Sequence, residues 1–328
     1  MTTLAWVVGA GGLLGSHVLR AVSSDSGFRP FAPPGGRLPW GDAAGLDEAF
    51  AAGARAFLRT ARQEACEGWA VLWCAGAGVV ASPPEELEAD RRGWERFLAA
   101  LGEALDAASP RLEGRLLLSS SAGGVWGGST ERPITEETPP RPLSAYGEMH
   151  LARERALAAF VARRPGVRAV VVRLTNLYGP GQRLDKPQGL ISHVSRSVLQ
   201  RRPVHLYVPL DTVRDYLFAE DAGPAVLAAL GTATGGTPGL RLVASEEPTT
   251  VAEILAAFHR VTRRRVAVVS GMHSAAALQP SHLTFRSTGG GRGGSRRRTP
   301  LLEGIARVHG HHLALLAQGQ LVPPPFPG

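Results

Sequence analysis

Gly9-Ala-Gly-Gly12-Leu-Leu-Gly15 follows an apolar run from Leu4 to Gly9 and opens a helical pattern from Leu13 to Val22. Glycines at that spacing, between a strand and a helix, suit a backbone that must hold a pyrophosphate. Gly9 permits the tight turn, Gly11 and Gly12 let main-chain N–H groups approach phosphate oxygens, and Gly15 lets helix and strand pack closely at the helix's positive end. The competing reading is an ordinary glycine-rich turn, and the flanking strand and helix weigh against it. The chemistry implied is binding of a dinucleotide that carries hydride. NAD is usually selected by an acidic residue about 20 positions beyond the loop. Here Phe31 to Gly36 is apolar and proline-rich, and Arg29 and Arg37 could face a 2′-phosphate. The expected cofactor is NAD or NADP, with a lean towards NADP.

The elements that would position this loop alternate along the chain. Strands are expected near Gly27 to Ala32, Trp69 to Gly76, Arg115 to Ser120, Val167 to Leu174 and Leu240 to Ala244. Helical periodicity covers Asp42 to Glu67, Pro84 to Ala107, Ala145 to Arg163, Gly189 to Arg201, Asp221 to Leu230 and Val251 to Thr262. Strands that read as unbroken apolar runs belong in a parallel sheet covered on both faces. The fold expected is therefore α/β, a Rossmann-type doubly wound parallel sheet with a smaller C-terminal substrate lobe. Residues 1–175 would form the dinucleotide-binding domain, with 221–245 returning to it, and 176–328 the lobe. One strand is missing where the alternation calls for it, between the second strand and Trp69.

With 328 residues and 44% hydrophobic content, the chain can bury a large core. Cys66 and Cys74 are the only cysteines and lack metal-ligand spacing, so no disulfide framework and no metal site is expected. The N-terminal apolar stretch has no basic leader and contains several glycines and His17, so it reads as structure rather than a signal sequence. No run approaches the roughly 20 apolar residues of a membrane span. A soluble, cytoplasmic protein without a membrane partner is the expectation. The net charge of +8 is almost all arginine, because Lys186 is the only lysine. The dense run from Arg292 to Arg298 lies in a Gly/Arg-rich stretch, 286–299, that reads as a mobile, solvated loop, and no nucleic-acid partner is expected from it.

Two later segments carry a family resemblance. Ser119-Ser-Ser-Ala-Gly-Gly-Val-Trp-Gly127 is followed by Ser144-Ala-Tyr146-Gly-Glu-Met-His150-Leu-Ala-Arg-Glu154, then Arg173-Leu-Thr-Asn176-Leu-Tyr-Gly-Pro-Gly181 and Arg214-Asp-Tyr216. In order and distance these resemble extended short-chain dehydrogenases/reductases of the NAD-dependent epimerase/dehydratase kind, over most of residues 1 to 260. The resemblance implies that Tyr146 is the base that removes a proton from a sugar hydroxyl. It also implies that Ser121 or Ser120 polarises the same oxygen, with Ser121 favoured. His150 stands where the family has a lysine that binds the nicotinamide ribose and lowers the tyrosine's pKa. A neutral imidazole would lower it less than an ammonium. Cofactor contacts are implied at Gly9, Gly11, Gly12, Leu13, Leu14, Gly15, Arg37, Cys74, Ala75, Gly76 and His150. Contacts to a sugar-nucleotide diphosphate are implied at Asn176, Arg214, Gly189 and Leu190, although Arg214 could instead pair with Asp215 or Asp221.

Ala122-Gly123 replaces the Asp-Glu pair of the family's dehydratases, so elimination of water is less expected than epimerisation or keto-reduction. The function expected is an NAD(P)-dependent epimerase or keto-reductase acting on a nucleotide-linked sugar, in a homodimer. The alternative is an NAD(P)-binding sensor of the same fold with little or no turnover.

Overall fold

The protein is described from a computed structural model, which covers residues 2–108, 112–185, 188–271, 280–289 and 298–321. The centre of the Gly/Arg-rich stretch, and with it most of the run from Arg292 to Arg298, lies outside the described residues.

The first half of the chain alternates strand and helix: β1 (Thr3–Val8), α1 (Leu13–Ser24), β2 (Phe28–Pro30), α2 (Ala43–Gln63), β3 (Gly68–Trp73) and α3 (Pro84–Ala108). It continues with β4 (Glu113–Ser121), the single turn α4 (Ala122–Val125), α5 (Ala145–Ala162) and β5 (Val167–Leu174). Beyond these come β6 (Asn176–Tyr178), α6 (Leu190–Gln200), β7 (Val204–Leu206), β8 (Val213–Phe218) and α7 (Ala219–Ala229). The chain closes with β9 (Thr234–Gly235), β10 (Gly239–Val243), β11 (Pro248–Thr250), α8 (Val251–Thr262), β12 (Val268–Ser270) and α9 (Leu301–Ala317).

The central sheet runs in the order β10-β5-β4-β3-β1-β2, all parallel, with β9 added antiparallel to β5. The order reverses between β1 and β3, and in such sheets a ligand binds at the carboxyl ends of the strands beside that reversal. The expected doubly wound α/β fold is found. No strand lies outside β2 among the described residues: α2 follows β2 and leads directly to β3. At the other rim, the Leu242 N–H of β10 donates to Glu136 Oε1 at 3.1 Å.

Strand pleating sends Leu4, Trp6 and Val8 to one face of the sheet and Ala5 and Val7 to the other. The first face is aromatic, built on Trp6, Trp69, Trp73, Trp94, Phe50, Phe57 and Phe97 under α2, α3 and α5. The second packs smaller residues, such as Val18 and Val22 of α1, against Ala222 and Val226 of α7. A separate core joins Ile191 and Val194 of α6 to Ile254 and Phe258 of α8 and to Ile305 and Val308 of α9.

The docking of α9 on α6 is acid-sensitive by construction. Fully buried Ser195 of α6 lies 2.9 Å from His312 Nδ1 and 3.2 Å from His309 Nδ1. Burial, helped by His311, His309, Arg196 and His193, pulls the His312 imidazole down to about 4. An unfolded histidine binds its proton near pH 6.5. The unfolded chain therefore holds more protons between that pH and about 4, and stability falls as the pH drops through that window. The shift corresponds to ~3 kcal/mol. Urea midpoints should fall between neutral pH and pH ~4.5, and fall less in a His312→Gln variant. Equal falls in both would show that this contact is not the acid-sensitive one.

Candidate active site

The glycine loop is clamped between β3 and α1. Gly9 has φ +89°, and a Cβ there would stand 2.7 Å from Ala75 N. At Gly15 a Cβ would stand 2.1 Å from Gly9 O, so helix and turn touch backbone to backbone. Gly12 N donates to Gly9 O at 3.0 Å and closes the turn. Gly12 caps α1 with no side-chain hydrogen bond, which leaves the first amides, from Leu13 and Leu14 onward, with no partner from a cap. A Cβ at Gly11 would meet nothing within 4 Å. An open face above uncapped helix amides fits the diphosphate of a dinucleotide.

Of the two arginines singled out for a 2′-phosphate, Arg29 is bound to Glu64 at 2.8 Å, while Arg37 is exposed on the turn after β2. Phe31 between them packs on Trp6 and Phe57, at ring separations of 5.5 and 5.1 Å.

The exit of β3 connects this loop to the candidate chemistry. Cys74 N donates to Val8 O at 2.8 Å, and burial pushes the Cys74 thiol up to about 12, leaving it an unreactive wall. Asp90 of α3 then holds the next residues, its Oδ2 accepting from Ala77 N at 2.9 Å and Gly78 N at 2.7 Å. A Cβ at Gly78 would lie 4.0 Å from the ring of Tyr146.

Tyr146 is seated by two close backbone approaches. A Cβ at Gly147 would lie 2.2 Å from Gly124 O, which brings the start of α5 against α4, and a Cβ at Gly124 would lie 3.0 Å from two ring carbons of Tyr146. Ser144 caps α5 by accepting from Gly147 N at 3.3 Å. The Ser121 hydroxyl accepts from Gly124 N at 3.0 Å and, like the Tyr146 ring, lies against Gly124, 3.2 Å from the place of a Cβ there. Ser120 faces the other way, as strand alternation requires, and donates to Glu154 Oε1 at 2.6 Å. Glu154 also takes Arg173 Nε at 3.0 Å and Nη2 at 2.6 Å, and that guanidinium lies 4.3 Å above Trp126. The fold thus brings Ser121 to Tyr146 and ties Ser120 into a buried ion pair.

His150 sits one turn beyond Tyr146, with ring centroids 4.6 Å apart and the rings nearly perpendicular. It is buried and its Nδ1 has no hydrogen-bond partner. Burial, with Arg153 and Arg173 alongside, holds its pKa well below the usual histidine range, so the imidazole is neutral at pH 7. The Tyr146 phenol is pushed above its usual value by burial and by Asp90, against the opposing pull of Ser121 and Arg153.

On the substrate side, a Cβ at Gly123 would lie 3.9 Å from Asn176 Oδ1, which puts that amide beside the serine-bearing strand end. Arg214 is buried on β8 and donates to Val213 O at 2.8 Å. Asp215 is held instead by Thr175, Ser245 and Glu246, and Asp221 by Thr299, so neither carboxylate takes the Arg214 guanidinium. Gly189 caps α6 at φ +108°, where Gln182 packs against it and accepts from Ser192 Oγ at 2.7 Å, ahead of Leu190. Sequence reasoning missed Asp90 and Arg153, which meet at the β3 exit from different helices. No spacing in the chain links them to that loop. Among the described residues, no group of three or more His, Cys, Asp or Glu side chains could hold a metal, and no helix is long and apolar enough to cross a membrane.

A family model described as the NAD-dependent epimerase/dehydratase family matches residues 56–243. A UDP-glucose 4-epimerase of Azospirillum brasilense is 30% identical over 249 residues, covering 70% of this chain and 69% of the relative. A dTDP-4-dehydro-6-deoxyglucose reductase of Escherichia coli is 28% identical over 116 residues, covering 35% of this chain and 36% of the relative. In that second case the match spans about a third of each protein. Among solved structures, MoeE5 in complex with UDP-glucose and NAD superposes with a TM-score of 0.73 at 24% identity, over 96% of this chain and 100% of that one.

Proposed function

Because the chain belongs to the NAD-dependent epimerase/dehydratase family, we propose that it is an NAD(P)-dependent epimerase or keto-reductase of a nucleotide-linked sugar, with Tyr146 as its acid–base residue. The observation that carries this reading is the β3 exit: Ala75 lies against the glycine loop at Gly9, while Gly78, three residues on, comes close to the Tyr146 ring, which a Cβ there would meet at 4.0 Å. One short segment therefore sets the distance between dinucleotide and phenol. The α1 amides and the face of Gly11 would hold the diphosphate, Ala75 and Gly76 would border the nicotinamide end, and His150 would hydrogen-bond its ribose through the unpartnered Nδ1. Arg37 is the arginine available to a 2′-phosphate, which sustains the lean towards NADP. Bound there, the nicotinamide supplies a hydride acceptor that can return what it takes.

The protein's own residues do the remainder. Ser121 donates to or accepts from the sugar oxygen while Tyr146 Oη removes its proton, and reversing the transfer reprotonates the oxygen. Asn176 and Arg214 would bind the sugar-nucleotide diphosphate, the latter as a buried guanidinium with no carboxylate partner. Elimination of water needs a carboxyl group beside the serine, and Ala122 and Gly123 offer none. A homodimer formed through α3 and α5 belongs to the same reading.

The test is to release bound dinucleotide from purified protein by denaturation, identify it by mass, and assay UDP-glucose for conversion to its C4 epimer. Co-purified or added NAD(P) together with conversion of a sugar nucleotide is the expected result. Tight dinucleotide binding with no turnover across a panel of UDP- and dTDP-sugars would favour the sensor, and failure to bind either dinucleotide would end both readings.

A further inference from the structure

The cation expected one helical turn after Tyr146 is absent, yet the fold delivers one from seven residues on. Arg153 is 1% exposed. Its Nη2 donates to Ala75 O at 3.1 Å, and its Nη1 lies 3.4 Å from where a Gly76 Cβ would stand. The guanidinium thus lies under the segment that borders both the glycine loop and Tyr146. Its backbone is pinned from α3, where Trp94 Nε1 donates to Arg153 O at 3.0 Å, and its plane faces Trp73 at 5.9 Å. Asp90 also faces it across α3, but the Asp90 carboxylate already accepts two loop amides, and Arg153 Nε is buried without a partner. A buried arginine kept only for packing would be expected to have its donors satisfied. This one is incompletely paired, lies on the same face of α5 as Tyr146, seven residues on, and packs under the segment that approaches the Tyr146 ring. Burial pulls it down to about 10, so it stays charged at neutral pH.

We propose that Arg153 is a positioning residue that supplies Tyr146 with the positive charge neutral His150 does not carry, an inference that rests on Tyr146 being the acid–base residue. Of the other charges near Tyr146 and His150, one works against ionisation and one is spent elsewhere. Asp90 opposes ionisation, while Arg173 is bound to Glu154 at 2.6 Å. Burial together with Arg153 and Arg173 keeps the His150 imidazole neutral, so a lysine at that position would add a third cation to the same buried region. With Arg173 committed to Glu154, the cation left for the phenol enters from the next turn of α5.

The test reads the phenol directly. Phenolate absorbance is titrated in the full chain and assigned to Tyr146 by difference from Tyr146→Phe. Arg153→Met should raise the Tyr146 titration by about one pH unit and shift the acid limb of the kcat/KM profile upward by a similar amount. Arg153→Lys should restore both. The double variant His150→Lys, Arg153→Met keeps one cation in the pocket and should titrate like the parent, which also covers the case in which Arg153→Met does not fold. The proposal is overturned if folded Arg153→Met titrates at the parental pH, if Arg153→Lys is as impaired as the methionine variant, or if the double variant shows the raised titration. Retained turnover in Tyr146→Phe would instead sink the acid–base reading, and the titration separates that outcome from failure of the role given to Arg153.

Discussion

Replacing Tyr146 with phenylalanine should lower turnover of a sugar nucleotide by about 10²- to 10⁴-fold, the usual contribution of a positioned acid–base group. Dinucleotide affinity should change little. The substitution removes only Oη. The ring keeps its seat on Gly124, 3.0 Å from the position of a Cβ there, and its edge contact with His150. Burial pushes the phenol above its usual range, so the ionised form is scarce at neutral pH and grows as the pH rises. The parent's kcat/KM should therefore climb on the alkaline side of neutrality, and that limb should vanish in the phenylalanine variant. Initial rates across pH, alongside dinucleotide titration, measure both. A phenylalanine variant within tenfold of the parent would exclude Tyr146 as the base.

Gly15→Ala and Gly11→Ala should separate packing from binding within one loop. At Gly15 the added methyl would stand 2.1 Å from Gly9 O and 2.7 Å from Gly9 C. Both are backbone atoms of a turn already pressed against Ala75, so the turn cannot recede, and overpacking of this kind costs ~1–3 kcal/mol. The helix would be levered off β1, with loss of both thermal stability and dinucleotide affinity. At Gly11 the methyl meets nothing within 4 Å, so stability should hold while affinity alone falls. Thermal melts with and without dinucleotide distinguish the two. A Gly11→Ala variant that binds like the parent would show that the diphosphate does not lie over this face.

The parts of the fold that could be read in the sequence were those where local pattern and burial agree. β1 and β3 are unbroken apolar runs, and β4 and β5 carry apolar cores at 116–118 and 169–172, because both faces of the sheet are covered there, and the glycine turn is marked by residue type alone. The absent strand after β2 was also visible, because α2 takes up the intervening chain. β8 was not read as a strand: Arg214 and Asp215 make Val213–Phe218 look polar, yet both are buried, and Asp215 finds its partners in Thr175, Ser245 and Glu246, outside the strand. The choice between Ser120 and Ser121 depends on the pleat of β4, which reverses with a shift of one residue. Arg153 was hidden for a different reason. In a chain whose basic residues are nearly all arginine, nothing local distinguishes the one that folds under the β3 exit.

Both rims of the central sheet are blunted against strangers. β2 is three residues long, carries charged Arg29, and ends on Pro30, which has no N–H to offer an incoming strand. At the opposite rim, the Glu136 carboxylate occupies the Leu242 amide of β10. A sheet closed in this way resists lateral growth into fibrils during concentration or storage.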